Sequence, residues 1–141
     1  MKILITGATG LLGRSIVKIA LSRGIEINFL TTKKSKINYL NKAKGFFWNP
    51  SDGDLNTDCF VGVDIIIHLA GASISKLWTS SYKKLIFSSR VDSTRLLFSR
   101  LKQIGSRHKI KQIISASAVG IYPSDFEKTF SETAKVYPST F

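Results

Sequence analysis

Three glycines spaced three residues apart give the start of this chain its clearest chemical signal. Gly7, Gly10 and Gly13 directly follow a short apolar run at residues 3–5. In such a turn the first glycine permits a tight bend, the second lets backbone approach a diphosphate, and the third allows the next helix to pack closely. The open N–H groups and partial positive charge of a helix N-terminus favour an anion. The turn is therefore predicted to bind the diphosphate of a dinucleotide, through Gly7, Thr9, Gly10, Leu11, Leu12 and Gly13.

The residues on either side of this turn predict the elements that position it. Residues 2–6 predict a buried strand, because a β-branched and leucine run ends at a glycine turn. Residues 10–23 predict a helix, which Gly24 ends in a left-handed conformation. Its apolar positions at helical spacing are Leu12, Ile16, Ile19 and Ala20. Residues 25–30 predict a second strand, which completes a right-handed βαβ unit.

The rest of the chain continues the alternation of strands and helices. Further strands are predicted at residues 45–48, 63–69 and 111–117, and a long helix from residue 79 or 80 to residue 104, with Gly105 as its terminator. The apolar stripe of this helix is Tyr82, Leu85, Ile86, Leu96, Leu97, Leu101 and Ile104. This pattern predicts an α/β fold, a Rossmann doubly wound parallel sheet in three αβα layers. Because such sheets usually continue, we expect residues 1–141 to be one dinucleotide-binding Rossmann domain that lacks its C-terminal substrate-binding part.

The end of the second strand carries information about which dinucleotide is bound. NAD-binding proteins tend to place a carboxylate there to bind the ribose hydroxyls, whereas a 2′-phosphate requires cations or neutral donors. Here the strand is followed by Thr31, Thr32, Lys33 and Lys34, with no carboxylate to repel a phosphate. Thr32 and Lys33 are predicted to hold the phosphate, so NADP(H) is favoured over NAD(H). The alternative is that these lysines form only a solvated loop.

Composition limits the other classes of function. The formal net charge is +12, but the basic residues are spread along the chain without a nucleic-acid-binding motif, so a solvated basic surface is favoured over a nucleic-acid partner. Cys59 is the single cysteine, and with two histidines it offers no spacing typical of a metal site. The apolar run after Met1 is too short for a secretory signal, and no stretch is long enough to span a membrane. We therefore expect a cytoplasmic protein with no metal and no membrane partner.

Three motifs together resemble one known group of proteins. They are the glycine turn, the His-Leu-Ala-Gly sequence at residues 68–71, and Ser-Ala-Ser-Ala-Val-Gly-Ile-Tyr at residues 115–122. The chain resembles the extended and atypical short-chain dehydrogenase/reductases over almost its whole length. Within that group it is most similar to the NAD-dependent epimerase/dehydratase-like family of the YfcH type. The resemblance implies hydride exchange with a nucleotide-sugar-like or other small carbonyl or hydroxyl substrate, and a homodimer formed through the helix at residues 80–104.

The resemblance also implies roles for individual residues. Leu69, Ala70 and Gly71 would line the adenine and ribose side of the cofactor site. Arg90 would project from the long helix towards the cofactor, and the alternative is an exposed helix residue. Trp78 would either cap the mouth of the pocket or pack in the core.

The catalytic set implied by the resemblance is incomplete in these 141 residues. Ser117 falls at the family's active-site serine, with Ser115 as the alternative, and its hydroxyl would bind a substrate oxygen. The usual acid/base tyrosine follows about 25 residues later with a lysine four residues beyond it, but that position is Phe141. Either the subfamily has replaced the tyrosine or it lies beyond residue 141. Tyr122 and Tyr137 are available phenols, although neither is followed by a lysine at that spacing, and Tyr122 is the candidate for a catalytic or substrate-contact role. An enzyme and a non-catalytic NADP(H)-binding or sensing module therefore both remain as hypotheses, and we expect these residues alone to be inactive.

Overall fold

The fold is described from a computed structural model, which covers residues 1–118, 121–123 and 127–136. Its strands are β1 (Lys2–Thr6), β2 (Glu26–Thr31), β3 (Lys44–Asn49), β4 (Asp54–Leu55), β5 (Ile65–His68) and β6 (Gln112–Ser115). Its helices are α1 (Leu11–Ser22) and α2 (Ser80–Ile104), with short 3-10 helices at Lys34–Lys36, Thr57–Phe60 and Gly105–Arg107. Within the described ranges, no helix has both the length and the apolar character needed to cross a membrane.

The strands form a single sheet whose order is β4-β3-β2-β1-β5-β6. Every pair is parallel except β3 with β4, which is a short antiparallel pair. The register aligns the last residues of β1, β5 and β6 in one row with residues near the ends of β2 and β3. The row is Phe46, Leu30, Thr6, His68 and Ser115. This row is the carboxyl edge of the sheet, where doubly wound folds bind their ligands.

The two helices cover opposite faces of this sheet. Val17 and Ala20 of α1 pack in one apolar cluster with β1 and β2, including Ile5 and Phe29. Leu96, Leu97 and Leu101 of α2 pack in a second cluster on the other face, with Leu4, Ile66 and Trp48 among its members. A strand covered on both faces is apolar on both sides, as Ile3, Leu4 and Ile5 of β1 are. The three-layer Rossmann architecture predicted from sequence is thereby confirmed.

The face of α1 that meets the sheet is only partly the one predicted, since Ala20 is buried and Ile16 packs against the core, but Leu12 and Ile19 do not. Leu12 is 64% exposed and Ile19 is 52% exposed. The buried positions are Gly13, Val17 and Ala20. The cause is the close approach of the helix to the glycine turn, because a Cβ at position 13 would lie only 2.7 Å from the Cα of Ala8. Helix orientation is therefore set by the smallest residue on the helix and not by its largest apolar ones.

The ends of both helices are confirmed, whereas some neighbouring segments were not predicted. Gly24 and Gly105 take positive φ angles of 67° and 53° just after α1 and α2. The antiparallel strand β4 and the 3-10 helix at Thr57–Phe60 have no clear pattern in the sequence. On α2, Leu85 was predicted in the buried stripe but is 49% exposed, and Ser93 is fully buried in its place.

Candidate functional site

The glycine turn has a geometry suited to an anion. Gly10 is the residue before the first turn of α1, its N–H donates to the carbonyl of Gly7 at 2.9 Å, and no side chain caps the helix. The first helical amide bonded to a helix carbonyl is that of Arg14, which donates to Gly10. The amides of residues 11–13 precede it and are open to an incoming acceptor. A Cβ on Gly7 would lie 2.8 Å from the carbonyl oxygen of Leu69, so only glycine fits between β1 and β5.

A cleft runs along the carboxyl edge of the sheet on both sides of this turn. Its first lobe, of about 460 Å³, lies between the ends of β2 and β3 and one face of α2. Its second lobe, of about 380 Å³, lies between the end of β5, the end of β6 and α2. Ala70 and Gly71 line both lobes, and Gly7 and Thr9 line the first. The cleft therefore offers two compartments that meet beside the glycine turn, which matches a ligand with a diphosphate between two bulky ends.

The backbone between the two lobes is held by the hydroxyl of Thr6. Its Oγ1 accepts hydrogen bonds from the amides of Leu69 at 3.1 Å and Ala70 at 3.0 Å. The same oxygen lies 2.7 Å from Nδ1 of His68, which is buried. Because both lone pairs of the hydroxyl accept from amides, its proton is donated to Nδ1. Nδ1 of His68 is therefore unprotonated, and the ring carries its proton on Nε2.

The other side of the His68 ring faces α2. Nε2 lies 3.2 Å from the hydroxyl oxygens of both Ser93 and Thr94. These two hydroxyls donate their own protons to the carbonyl of Arg90, at 3.0 and 2.8 Å, so they accept from the Nε2–H group. The hydrogen bonding is complete with a neutral ring, and burial lowers the pKa of His68 below its ordinary value. His68 thus links the ends of β1 and β5 to α2, and it lines the second lobe.

Arg90 lies beside the loop that follows β5. Its Nη1 donates to the carbonyls of Ala72 at 3.3 Å and Ile86 at 3.1 Å. Its Cζ lies 3.1 Å from where a Cβ on Gly71 would be, so the guanidinium packs closely on the backbone of Gly71. Arg90 also lines the second lobe. The guanidinium therefore positions the loop and presents positive charge to the cleft, although the residue as a whole is exposed.

The residues predicted to select the nucleotide are only partly brought to the cleft. Thr32 lines the first lobe together with Thr31. Lys33 is exposed and lines neither lobe, and its amide donates to Oγ1 of Thr31 at 3.2 Å. Lys34 lies with its Nζ 5.1 Å from the centre of the Phe47 ring. The flexible lysine side chains are thus near the end of β2 but outside the wall of the cleft.

The predicted catalytic residues differ in their placement. Ser117 and Ser115 are exposed and line the second lobe. Tyr122 is half-buried, its ring stacks on Phe130 with centres 5.4 Å apart, and it does not line that lobe. Trp78 is 45% exposed and donates from Nε1 to the carbonyl of Ile74 at 2.8 Å, so it does not pack in the core. Val119 and Gly120 of the serine motif, and Tyr137 and Phe141, lie outside the described residues.

Sequence reasoning missed the contribution of α2 to the first lobe. Asp92 and Ser88 are half-buried, lie one helical turn apart, and both line this lobe. Asn49, at the end of β3, lines it as well. The available signal was a group of polar residues on the inner side of α2, where apolar residues are expected. They are at positions 88, 89, 92 and 93.

Comparison with known proteins assigns the chain to a family. Residues 3–140 match the model of the NAD dependent epimerase/dehydratase family. An epimerase family protein of Staphylococcus saprophyticus is 36% identical over 143 residues, which cover 98% of this chain and 44% of the relative. One from Staphylococcus aureus is 34% identical, with the same coverage. The chain therefore spans less than half the length of these curated relatives.

Solved structures agree with the fold at low sequence identity. A human epimerase family protein crystallised with NADPH has a TM-score of 0.75 and 20% identity, over 96% of this chain and 43% of that one. A UDP-glucose 4-epimerase has a TM-score of 0.77 and 18% identity, over 99% of this chain and 42% of that one. MoeE5, solved with UDP-glucose and NAD, has a TM-score of 0.75 and 19% identity, with 98% and 43% covered. With its glycine turn, its cleft and this family match, the chain belongs to the NAD-dependent epimerase/dehydratase family.

Proposed function

We propose that the chain binds NADP(H) along the carboxyl edge of its sheet, as the dinucleotide-binding part of an epimerase or oxidoreductase. The observation that carries this proposal is the arrangement of the two lobes on either side of the open amides at residues 11–13. The diphosphate binds at these amides, because their N–H groups and the helix dipole stabilise negative charge there. The adenosine half then occupies the first lobe and the nicotinamide half the second.

The preference for NADP(H) rests on the residues that follow β2. Thr32 lines the first lobe, and Lys33 and Lys34 lie next to it in sequence without a neighbouring carboxylate at the strand end. A 2′-phosphate at this point accepts a hydrogen bond from the Thr32 hydroxyl. A lysine that reaches in from the loop supplies positive charge.

The second lobe fits a small substrate with a carbonyl or hydroxyl group. A nicotinamide supplies the hydride acceptor or donor for such a substrate. Ser117 offers a hydroxyl that hydrogen-bonds the substrate oxygen, and Arg90 adds positive charge on the same lobe. Ser115 is the alternative donor, because it lines the lobe from the end of β6.

One observation favours a second candidate function, a non-catalytic NADP(H)-binding or sensing module. Among the described residues no tyrosine lines the second lobe, and Tyr122 is stacked on Phe130. The two candidates separate in the full-length protein. An enzyme turns over a carbonyl or hydroxyl substrate, and Ser117→Ala slows it by about 100-fold, as expected for loss of a donor to a charged oxygen. A module binds the dinucleotide with no turnover.

Dinucleotide binding itself is tested by titration with NADPH and NADH, followed by nucleotide fluorescence. Gly10→Glu places a carboxylate at the start of α1 and is expected to weaken binding at least about tenfold, because it competes with the diphosphate for the open amides. Ser15→Glu adds the same charge at an exposed position on the same helix and is the matched control. Equal affinities for the two variants would refute the assignment of the diphosphate to this turn.

The cofactor preference has its own pair of variants. Lys33→Ala is expected to reduce affinity for NADPH while leaving affinity for NADH unchanged. Lys18→Ala removes an exposed charge on α1 and should change neither. A parallel loss for both nucleotides in Lys33→Ala would show that the lysine does not read the 2′-phosphate.

The dimer implied by family resemblance also has support on α2. Phe87 and Phe98, which lie eleven residues apart on one side of the helix, are 59% and 54% exposed. Apolar rings on a solvent-facing helix favour burial against a second protein surface. A homodimer through α2 is therefore part of the proposal. Sedimentation of the full-length protein tests it, with Phe87→Glu expected to yield monomers.

A further inference from the structure

Besides Leu85, the wall that α2 contributes to the first lobe offers hydrogen-bond acceptors. Asp92 lines this lobe, and within the described ranges its carboxylate has no hydrogen bond or ion pair. Ser88 lines it one turn earlier, and its hydroxyl donates to the carbonyl of Leu85 at 3.4 Å. Ser89 likewise donates to the carbonyl of Ile86 at 3.0 Å. A ligand group that meets this wall must therefore bring hydrogen-bond donors.

The position of Asp92 along α2 determines which part of a dinucleotide it meets. In its first half, α2 is joined to the loop after β5, since the amide of Ala72 donates to the hydroxyl of Ser89 at 2.9 Å. Further on it is joined to the turn after β3, since Arg100 donates to the carbonyl of Gly53 at 2.7 Å. Asp92 lies one turn past Ser89 and lines the first lobe together with Asn49 and Pro50 at the end of β3.

The order of the strands indicates which part of a bound dinucleotide lies near Asp92. The diphosphate site is at the end of β1, and β2 and then β3 follow on the side of the first lobe. A dinucleotide that runs outward from β1 places its ribose near the end of β2 and its base near the end of β3. The base is therefore the part of the adenosine half that lies nearest Asp92. The exocyclic amine of adenine is the hydrogen-bond donor of that base, and it can donate to a carboxylate.

We propose that Asp92 accepts a hydrogen bond from the exocyclic amine of the adenine base and so makes the cleft selective for adenine. This inference rests on the proposed dinucleotide-binding function. A hypoxanthine base carries a carbonyl oxygen in place of the amine. That oxygen and the Asp92 carboxylate are both hydrogen-bond acceptors, so no hydrogen bond forms between them. The carboxylate would then be desolvated without a partner, which weakens binding.

The test compares the reduced dinucleotides of adenine and hypoxanthine, NADH and deamino-NADH, by nucleotide fluorescence. The chain is expected to bind NADH at least about tenfold more tightly than deamino-NADH, as for loss of a hydrogen bond to a charged group. Asp92→Asn is expected to abolish this difference, because the amide can donate to a carbonyl oxygen as well as accept from an amine. Asp58→Asn removes the same charge from an exposed position and should retain the full preference. Because Asp92 has no partner in the described residues, its amide variant should unfold at the same temperature as the wild type.

Each contrary result has a distinct meaning. If Asp92→Asn keeps the wild-type preference for adenine, the base contact is refuted while dinucleotide binding stands. If the variant instead gains affinity for NADPH over NADH with the base preference unchanged, Asp92 faces the ribose and the inference is also overturned. If the wild type binds none of these dinucleotides, the proposed function fails and this inference fails with it.

Discussion

Gly13 is the residue whose replacement tests the fold and the site together. In Gly13→Ala the new Cβ would lie 2.7 Å from the Cα and 2.8 Å from the carbonyl carbon of Ala8, and it would also meet the carbonyl oxygen of Gly7. All three are backbone atoms, so relief requires α1 or the turn to move. Overpacking of this kind costs about 3 kcal/mol at its upper range. The higher helix propensity of alanine over glycine offsets about 1 kcal/mol of this cost. The net loss in the free energy of unfolding is then about 2 kcal/mol.

Urea unfolding followed by circular dichroism measures this loss. Ser15→Ala is the matched control, because Ser15 is exposed on the same helix and its hydroxyl makes only a 3.4 Å contact to the carbonyl of Leu11. The control gains helix propensity without a clash and should be slightly more stable than the wild type. A Gly13→Ala protein as stable as Ser15→Ala would mean that close packing on the glycine turn does not set the position of α1.

Three further predictions concern the ionisable side chains of His68, Asp64 and Cys59. Burial lowers the pKa of His68 below 6.5, so the unfolded chain binds a proton that the native one does not, and stability should fall as pH drops through 6.5. Urea midpoints measured against pH should lose this slope in His68→Asn and keep it in His108→Asn. The amide of Lys2 donates to Asp64 at 2.7 Å and, together with Lys109, holds the pKa of that carboxyl below 3.8. Its stabilisation should therefore be present at neutral pH and be lost on acidification, and Asp64→Asn should flatten the acid limb of the same curve. Burial raises the pKa of the Cys59 thiol to about 12, so a disulfide reagent at pH 8 should label it only as the chain unfolds, and rapid labelling of native protein would contradict the observed burial.

The fold could be predicted from sequence because its signals are local. The glycine spacing, the apolar runs of β1 and β5 and the terminal glycines of both helices each act within a few residues. Together they predict alternating strands and helices, and the handedness of the crossover leaves one arrangement of the first unit. The antiparallel strand β4 lacked such a signal, because Asp54 and Leu55 form too short a segment to show alternation.

The orientation of α1 and the lining of the cleft depended on contacts between distant segments. The pattern of large apolar residues pointed to Leu12 and Ile19, but the approach of Gly13 to the turn decided which side is buried. Asp92 lines the first lobe only because α2 packs on a face of the sheet whose strands β1 to β3 precede it by many residues. The spacing of apolar residues along a helix predicts neither effect, since both depend on which distant segment the helix packs against.

The same hydroxyl group holds the sheet and shapes the cleft. Thr6 belongs to β1 and is fully buried, yet its oxygen accepts from the two amides whose residues lead into both lobes. Its proton fixes the tautomer of His68, and that tautomer directs Nε2–H towards the α2 hydroxyls. A buried polar group that satisfies several partners tolerates little displacement, because each lost bond leaves a desolvated donor. The loop at residues 69–72 is therefore held by hydrogen bonds to buried groups of the core, and on the proposed function it is a preformed surface for the cofactor rather than one that binding must order.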